Sequence, residues 1–450
     1  MTSQEHILIL GGGYAGFNLA RGLRGGVKAG RVRVTLVEPL PYLTYKPLLP
    51  EVAGGETQPR DATVTLQDSL KHVRIIPGDA LAVDLDAHTA VVRAEDGVER
   101  PLSYDHVVFA LGSITKALPI PGLEDNAVGF GTLEEAVFLR NHVLDRIRYA
   151  AATRDAAERE RALTFVFIGG GYTGVEAIAE LYELARHEFA AFPSLRGRHM
   201  TWLLVEVADR IAVEVGPELS QWTLKTLRQR GIRVLLKTEL QSCEDGIVQL
   251  SDGSRHPADT IVWSAGVTPN PLLGRLGVPT GPKGHVLANE CLQVTRDDGT
   301  VVKGAWALGD NAQVPQPNSG SKPSYYPPNA QNALRQAKLL AQNLLGAQLN
   351  EPALPYRHQS LGTLASYGRH QGAAVIKGIK LRGWPAWVVD KAYHAMAIPS
   401  MSRRIRLATG WLANALARRD LTSTSAAMSP RRPFHEAIAA AKEHQSQAKH

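Results

Sequence analysis

Short runs of apolar residues lead into glycine-rich turns and then into amphipathic stretches along most of the chain, and this pattern predicts an α/β protein. In the first half, residues 7–10 (ILIL) run into residues 11–16 (GGGYAG). The same pattern returns 158 positions later, where residues 165–168 (FVFI) run into residues 169–174 (GGGYTG). Each copy predicts a buried strand, a tight turn and the beginning of a helix. The chain therefore contains an internal repeat of strand, turn and helix.

The glycines in both copies suit a loop that binds a pyrophosphate. One glycine allows the tight turn, one lets backbone N–H groups approach the ligand, and one lets the helix pack closely on the strand. The helix N-terminus then favours an anion. One such loop alone could be an ordinary turn, but two near-identical copies favour two dinucleotide-binding sites. We assign cofactor binding to Gly11, Gly13, Tyr14, Ala15 and Gly16 in the first copy and to Gly169, Gly171, Tyr172, Thr173 and Gly174 in the second.

An acidic residue ends the next predicted strand after each loop. Residues 32–37 lead to Glu38, 22 positions past Gly16, and residues 202–205 lead to Glu206, 32 positions past Gly174. A Rossmann unit uses such an acid to accept hydrogen bonds from the ribose hydroxyls of its nucleotide. The alternative is a solvated glutamate at a strand end, and the position after a glycine loop favours the binding role.

Three further segments predict a chain that leaves the first nucleotide-binding unit and later returns to it. Residues 106–113 and 260–266 are apolar runs into small-residue turns, and residues 305–310 end in a Gly-Asp turn. The expected architecture is α/β, with two Rossmann-like dinucleotide-binding domains, the second inserted in the first. The predicted division is a first domain in two parts (1–115 and 301–350), an inserted domain (116–300), a C-terminal region (351–420) and a flexible basic tail (421–450).

Composition excludes several classes of protein. With 44% hydrophobic and 21% charged residues among 450, the chain is neither extensively disordered nor fibrous. The two cysteines, Cys243 and Cys291, rule out a disulfide framework and an iron–sulfur cluster and fit a reducing compartment. No spacing of histidines suggests a metal site, no secretory signal is expected at the start, and no run of 18 apolar residues predicts a spanning helix.

The net charge of +7 is confined to one part of the chain. Nine basic residues and a single acid, Asp390, lie between Lys377 and Arg419, so the remainder is close to neutral. No nucleic-acid partner is therefore expected. The basic excess belongs instead to a stretch rich in tryptophan.

The order of these motifs resembles that of the two-dinucleotide-binding-domain flavoproteins, and within them the type II NADH:quinone oxidoreductases, the non-pumping single-subunit NADH dehydrogenases. The resemblance covers roughly residues 5 to 420. The motifs that carry it are residues 45–50 (YKPLLP), 169–176 (GGGYTGVE), 263–270 (WSAGVTPN), 307–311 (ALGDN) and 327–333 (PPNAQNA). One position departs from the pattern, because Arg335 stands where many relatives carry a second glutamine.

The resemblance implies FAD in the first domain, NADH in the inserted domain and a membrane quinone as the electron acceptor. Glu38 and the first loop would then hold the ADP half of FAD, Asp310 its ribityl side, and Glu206 and the second loop NADH. The resemblance places Lys46, Pro47 and Leu48 along the isoalloxazine, and Gly112, Gly266, Gly309 and Ala330 at the cofactor sites.

Two residues are candidates for a catalytic role through the same resemblance. Glu176 would lie between NADH and FAD, where it positions the nicotinamide or assists proton delivery to the quinone. Taken alone it could equally be a helix-start acid, with Glu180 and Glu183 continuing an exposed acidic face. Gln331 would hydrogen-bond a flavin carbonyl or a quinone oxygen, and the alternative is an amide facing water at the start of a helix over residues 329–345.

Residues 383–419 combine aromatic and basic side chains, which is typical of a helix lying in a membrane interface. The apolar face would comprise Trp411, Leu412, Ala415 and Leu416, bounded by Arg418 and Arg419. The alternatives are a helix packed on the body of the protein or a homodimer interface. The expected location is peripheral, on the cytoplasmic side of the cell membrane.

Other functions would also use both glycine loops. The alternatives are a soluble NADH-dependent reductase of a small iron–sulfur protein and a non-enzymatic scaffold that senses NAD(H). A sulfide:quinone oxidoreductase is set aside because Cys243 and Cys291 lie away from every flavin motif, and a disulfide reductase is set aside because no CxxC occurs. His358, His370 and His394 are expected to be surface or packing residues.

Overall fold

The computed structural model describes residues 4–317, 324–417 and 419–447, and its largest element is an eight-stranded sheet. Its five central strands are parallel and its edges antiparallel. The strand that precedes the first glycine loop is buried on both faces, as expected where helices cover a parallel sheet. In spatial order the strands are Gln293–Thr295, Val301–Ala307, His106–Phe109, Glu5–Leu10, Val32–Glu38, Arg74–Asp84, Thr89–Ala94 and Glu99–Ser103.

A second sheet of five parallel strands is built from the chain between His106–Phe109 and Val301–Ala307 of the first sheet. The antiparallel pair of Ser113–Thr115 with Val267–Pro269 connects the two sheets. The second unit is therefore inserted in the first, which confirms the predicted fold class. The strand Gln293–Thr295 already pairs in the first sheet, ahead of the expected boundary at residue 300. The second sheet runs in the order Ala127–Gly129, Thr260–Trp263, Thr164–Ile168, Thr201–Glu206 and Arg233–Leu236.

Each glycine loop opens a helix, as the repeat predicts. We call Tyr14–Gly22 the first loop helix and Tyr172–Ala190 the second loop helix. The chain returns to the first sheet through Ala330–Ala347, the return helix, which is capped by the Asn329 side chain and packs on the first loop helix. The other α-helices of the described residues up to the C-terminal region are Arg24–Lys28, Leu49–Ala53, Leu66–Ser69, Leu123–Asn126, Leu133–Ala152, Ala156–Ala162, Pro217–Gln229 and Leu272–Arg275.

The C-terminal region is a small sheet followed by helices. The antiparallel strands Gly362–Ser366, Gly372–Ile376 and Ile379–Arg382 form the sheet, and the helices are Trp384–Ala397, Met401–Leu416 and Arg432–Gln447. None of the described helices combines the length and apolarity needed to cross a bilayer. Short strands elsewhere are Tyr42–Thr44 with Thr63–Thr65, Val286–Leu287 with Ala312–Gln313, and a meander of Leu240–Ser242, Ile247–Leu250 and Arg255–Pro257.

The prediction of a flexible tail from residue 421 is wrong at its start. The Arg148 guanidinium donates to the carbonyl of Leu421 at 2.6 Å, and Arg140 donates to that of Thr422 at 2.8 Å. The backbone N–H of Thr424 donates to Asn141 at 3.0 Å. Serine- and threonine-rich composition did not reveal this attachment, because the partners lie on the distant helix Leu133–Ala152. Residues 448–450 of the predicted tail lie outside the described residues.

Candidate active site

A continuous cavity of about 1730 Å³ lies between the two sheets, and both glycine loops line it. Ordinary small-molecule pockets measure roughly 300–1,000 Å³, so this cavity has room for more than one ligand. Most of the residues predicted to bind cofactors line it. These are Gly11, Gly13, Tyr14, Ala15, Glu38, Lys46, Pro47, Gly112, Gly169, Gly171, Tyr172, Thr173, Glu206, Gly266, Asp310 and Ala330.

The first loop forms a cradle in which the glycines differ in what they allow. Gly11 has a φ of +103°, in the region that favours glycine, and a Cβ there would overlap the carbonyl of Ala110. A Cβ on Gly16 would overlap the carbonyl of Gly11, so Gly16 permits close packing of helix and strand. A Cβ on Gly13 would meet no protein atom within 4 Å and would project into open space. The protein leaves at Gly13 the space that a bound phosphate needs.

The second loop repeats this geometry. Gly169 has a φ of +109°, and a Cβ on Gly174 would overlap the carbonyl of Gly169. At Gly171 the nearest atom to a Cβ is a carboxylate oxygen of Glu214 at 3.9 Å. Gly16 and Gly174 do not line the cavity, because they pack helix against strand.

Each strand-end acid binds its own glycine loop. The N–H of Gly12 donates to Glu38 Oε2 at 2.5 Å, and the N–H of Gly170 donates to Glu206 Oε2 at 2.5 Å. Burial raises the pKa of Glu38, against the hydrogen bonds from the backbone. Glu38 and Glu206 therefore take the same position relative to their loops, although Glu38 follows Gly16 by 22 residues and Glu206 follows Gly174 by 32.

The Gly-Asp turn reaches the same cavity. Asp310 Oδ2 accepts a hydrogen bond from the Ser113 hydroxyl at 3.0 Å, and burial raises the pKa of Asp310. The N–H of Gly309 donates to Gln336 of the return helix at 2.7 Å, which holds the turn in place. Gly309 itself does not line the cavity. Leu48 also lies elsewhere, since its side chain is fully buried in the core behind Lys46 and Pro47.

Glu176 lines the cavity on the second turn of the second loop helix. Its carboxylate accepts a hydrogen bond from the N–H of Ser366 at 2.9 Å. Burial, assisted by the negative charge of Asp390, raises its pKa well above the ordinary value and so favours the protonated form. The alternative of an exposed acidic face is wrong, because Glu180 is fully buried and Glu183 pairs with Arg230.

Gln331 also lines the cavity, and it does not face water. Its amide nitrogen donates to the carbonyl of Gly362 at 2.8 Å. Its amide oxygen is buried and has no hydrogen-bond partner among the described residues. A buried acceptor left without a partner costs free energy, so this oxygen suits a ligand that donates a hydrogen bond.

A buried charged cluster adjoins the cavity, and sequence reasoning missed it. Lys391 Nζ lies 2.6 Å from Glu51, and Arg419 lies 2.7 Å from Glu56. The two carboxylates come from the segment after Lys46–Leu48, far away in sequence. We call these four residues together with Glu180 the buried charged cluster. The sequence feature that could have indicated this cluster is Glu51, an acidic residue within an apolar stretch.

His394, expected on the surface or in packing, belongs to the wall of the cavity. Its Nδ1 lies 2.9 Å from the hydroxyl of the fully buried Tyr45, and its Nε2 lies 3.3 Å from Asp390. His370 does pack, with its ring edge-on to Trp387 at 5.0 Å. Among the described residues, no cluster of histidine, cysteine and acid suits a metal ion.

The predicted membrane face is wrong in part. Trp411 points to the protein interior, where its indole N–H donates to Glu51 at 3.0 Å. Arg419 is buried with Glu56, and Arg418 lies outside the described residues. Leu412 and Leu416 are exposed, to 62% and 84%. The surface of this region therefore keeps part of the predicted apolar face and loses its tryptophan.

Two glycine loops that share one cavity across an inserted domain define an oxidoreductase fold with two dinucleotide-binding units. A family model described as pyridine nucleotide-disulphide oxidoreductase matches residues 5–337, and the chain belongs to this family. The NADH-bound structure of NDH2 from Plasmodium falciparum matches with a TM-score of 0.83 at 18% identity, covering 93% of this chain and all of that one.

Two curated relatives extend the similarity over nearly the whole chain. The type II NADH:quinone oxidoreductase NdhA of Mycobacterium tuberculosis is 27% identical over 91% of this chain and 86% of its own length. The demethylphylloquinone reductase NdbB of Synechocystis is 26% identical over 92% of this chain and 97% of its own length. The resemblance to type II NADH:quinone oxidoreductases is thereby confirmed.

Proposed function

We propose that the protein oxidises NADH and passes two electrons through FAD to a membrane quinone, without pumping protons. The observation that carries this proposal is the single cavity, which brings both glycine loops, Glu176 and Gln331 together. In a cavity shared by two dinucleotide sites, the two bound cofactors can lie in contact and react directly with each other.

The residues of the first site fit FAD. The open space at Gly13 and the N–H groups at the start of the first loop helix suit the pyrophosphate, Glu38 the ribose, and Asp310 the ribityl side. Lys46 and Pro47 line the part of the cavity assigned to the isoalloxazine. When bound, the flavin supplies the chemistry of accepting a hydride and releasing electrons, and the protein supplies orientation and electrostatics.

The residues of the second site fit NADH. Gly171 leaves space for the pyrophosphate, and Glu206 offers a carboxylate to the ribose hydroxyls while repelling a 2′-phosphate. Glu176 holds a proton at a carboxyl that borders both sites, where it orients the nicotinamide and assists proton delivery to the acceptor. Gln331 offers its unpaired amide oxygen to a hydrogen-bond donor of the bound molecules.

Peripheral membrane contact on the cytoplasmic side is part of the proposal. The two helices of residues 384–416 expose large apolar side chains, beside the basic Arg404 and Arg406. Apolar side chains among arginines suit an interface of anionic lipid. The exposed apolar residues of this surface are Trp384, Val388, Tyr393, Met396, Met401, Ile405, Leu412 and Leu416.

Turnover of the purified protein tests the proposed reaction. We expect NADH oxidation with a short-chain quinone, and none with a ferredoxin-type acceptor. Glu176→Gln should lower kcat with the quinone by about 10- to 100-fold, because a glutamine cannot transfer a proton. A protein that reduces only the ferredoxin would contradict the quinone assignment, and negligible turnover with every acceptor would favour an NAD(H)-sensing scaffold.

Polar substitutions test the membrane contact. Leu412→Gln with Leu416→Gln should weaken co-sedimentation with anionic vesicles at least about tenfold, because two apolar anchors are lost. Leu349→Gln, at another exposed leucine, is the matched control. Unchanged vesicle binding together with loss of a dimer in solution would assign this surface to a homodimer interface instead.

A further inference from the structure

The return helix places a cation against the wall of the cavity. Arg335 lies one turn after Gln331, so the two side chains project from the same side of the helix. Its Nη1 lies 2.9 Å from Nδ1 and 3.0 Å from Nε2 of His358. His358 lines the cavity. Within residues 4–317, 324–417 and 419–447, no carboxylate forms an ion pair with Arg335.

The arginine holds the histidine in its neutral form. An arginine is charged at every pH at which the protein is folded, and its Nη1 lies within 3.0 Å of both ring nitrogens, so a second proton on the ring would face a positive charge. Burial and the charge of Arg335 both lower the pKa of His358. The neutral ring has one N–H to donate and one nitrogen to accept. The cavity wall at His358 therefore carries a neutral imidazole, with the positive charge of Arg335 directly against it.

The position of the histidine is set by its surroundings. The backbone N–H of His358 donates to the hydroxyl of Tyr326 at 3.2 Å. The rings of Tyr326 and Tyr356 pack edge to face at 4.7 Å, and the Tyr356 hydroxyl donates to Asn332 at 2.9 Å. This aromatic pair joins the return helix to the segment that carries His358. The His358 side chain is thereby fixed in the lining of the cavity, to which Gln331 also belongs.

We propose that His358 and Arg335 form an acceptor-binding corner that contacts a quinone oxygen and favours acceptors carrying an anionic oxygen over neutral ones. This inference rests on the proposed quinone reduction and deepens it. His358 is the contact residue, and Arg335 is a positioning residue that acts through His358 and through its charge. A single positive charge near the surface, screened by salt, supports a preference of about tenfold.

Two naphthoquinones that differ in charge test the acceptor-binding corner. At neutral pH, 2-hydroxy-1,4-naphthoquinone is anionic and 2-methyl-1,4-naphthoquinone is neutral. The measured quantity is the ratio of their kcat/KM values with saturating NADH, compared between variants so that the intrinsic reactivities of the quinones cancel. In Arg335→Gln this ratio should fall about tenfold, and Arg335→Lys should restore most of it. Added salt should lower the ratio in the unsubstituted protein and leave it nearly constant in Arg335→Gln.

Two control variants distinguish an effect on quinone binding from a general effect on the structure. Arg357→Gln removes a neighbouring charge that is exposed and lies 3.6 Å from Glu290, and it should leave the ratio unchanged. His358→Phe should raise the KM of both quinones without changing the KM of NADH or the flavin content. Arg335→Gln that slows both quinones equally, or a ratio that does not move, would overturn the proposal.

Equilibrium binding distinguishes failure of the proposed function from failure of the acceptor-binding corner. If the unsubstituted protein oxidises NADH with neither quinone, the reaction assignment fails while the corner remains measurable. Binding of 2-hydroxy-1,4-naphthoquinone, followed by the change in flavin absorbance, should then weaken about tenfold in Arg335→Gln and not in Arg357→Gln. Equal binding by both variants would refute the corner.

Discussion

The two glycine loops have the same backbone geometry, but the helices that follow them differ. The first loop helix has 9 residues and no acidic residue, and it buries Ala15, Phe17 and Leu19. The second loop helix has 19 residues and carries Glu176 to the cavity and Glu180 into the buried charged cluster. Both loops thus keep the same relation to their strand-end acid, and only the second is followed by a helix that carries titratable groups to the cavity.

The two loops also differ in what covers them. The return helix clamps the first, since Gln336 accepts from Gly309, and a Cβ on Gly309 would lie 2.9 Å from Ala15. The second loop instead faces the short turn Val213–Val215, with Glu214 near Gly171. The return helix and the short turn Val213–Val215 therefore give the two loops different surroundings.

Side chains that fill the open space at each glycine loop should change cofactor binding most strongly. Gly13→Val should yield protein without flavin, because its side chain enters the space left for the pyrophosphate. Gly171→Val should retain flavin and raise the KM of NADH at least about tenfold. The measurements are flavin absorbance per protein and steady-state kinetics. Gly25→Ala, at an open helical glycine, is the control. Full flavin absorbance in Gly13→Val would refute the assignment of the first site.

Replacing the two strand-end acids, Glu206 and Glu38, distinguishes the nucleotides that the two loops bind. Glu206→Ala should lower the preference for NADH over NADPH by about 10- to 100-fold, because the repulsion of a 2′-phosphate is lost. Glu38→Ala should leave that preference unchanged and lower the flavin content. The test is kcat/KM for both nucleotides. Comparable use of NADH and NADPH that Glu206→Ala does not alter would show that Glu206 is not the selector, and Arg210 nearby would then be examined as a phosphate-binding group.

A weaker effect is expected at Glu180, a buried acid of the second loop helix that has no counterpart on the first. Burial raises the pKa of Glu180 to about 8 from the ordinary value of 4.5. As the pH rises through this interval, the unfolded chain releases the proton before the folded protein does, so Glu180 progressively lowers the stability. Glu180→Gln removes this dependence.

Thermal unfolding measures that dependence. Relative to the unsubstituted protein, the Tm of Glu180→Gln should rise by about 3 °C or more between pH 5 and pH 8.5. Glu183→Gln, on the same helix beside Arg230, is the control and should show no such rise. A constant difference between Glu180→Gln and the unsubstituted protein over this range would mean that Glu180 is ionised in the folded state.

Much of the architecture and part of the site were predictable because they depend on local rules. A strand, a positive-φ glycine and a helix N-terminus are set by neighbouring residues, so both loops, Glu38 and Glu206 were predicted with their elements. The return helix was predicted over residues 329–345 and is observed at Ala330–Ala347. The placements of Glu176 and Gln331 in the site were predicted from the family resemblance, because periodicity alone did not show whether these side chains face the protein or water.

The internal repeat, the two glycine loops and the insertion of one unit in the other could be predicted from the sequence, because each follows from short-range backbone requirements and the order of motifs. The directions of the C-terminal side chains could not be predicted, because they depend on contacts with distant parts of the chain. Trp411, Lys391 and Arg419 fit a membrane face by composition, yet they lie against Glu51 and Glu56, more than 300 positions earlier in the chain. Helical periodicity identifies an apolar face but not what covers it, and a charge is neutralised by whichever partner the fold brings within a few ångströms.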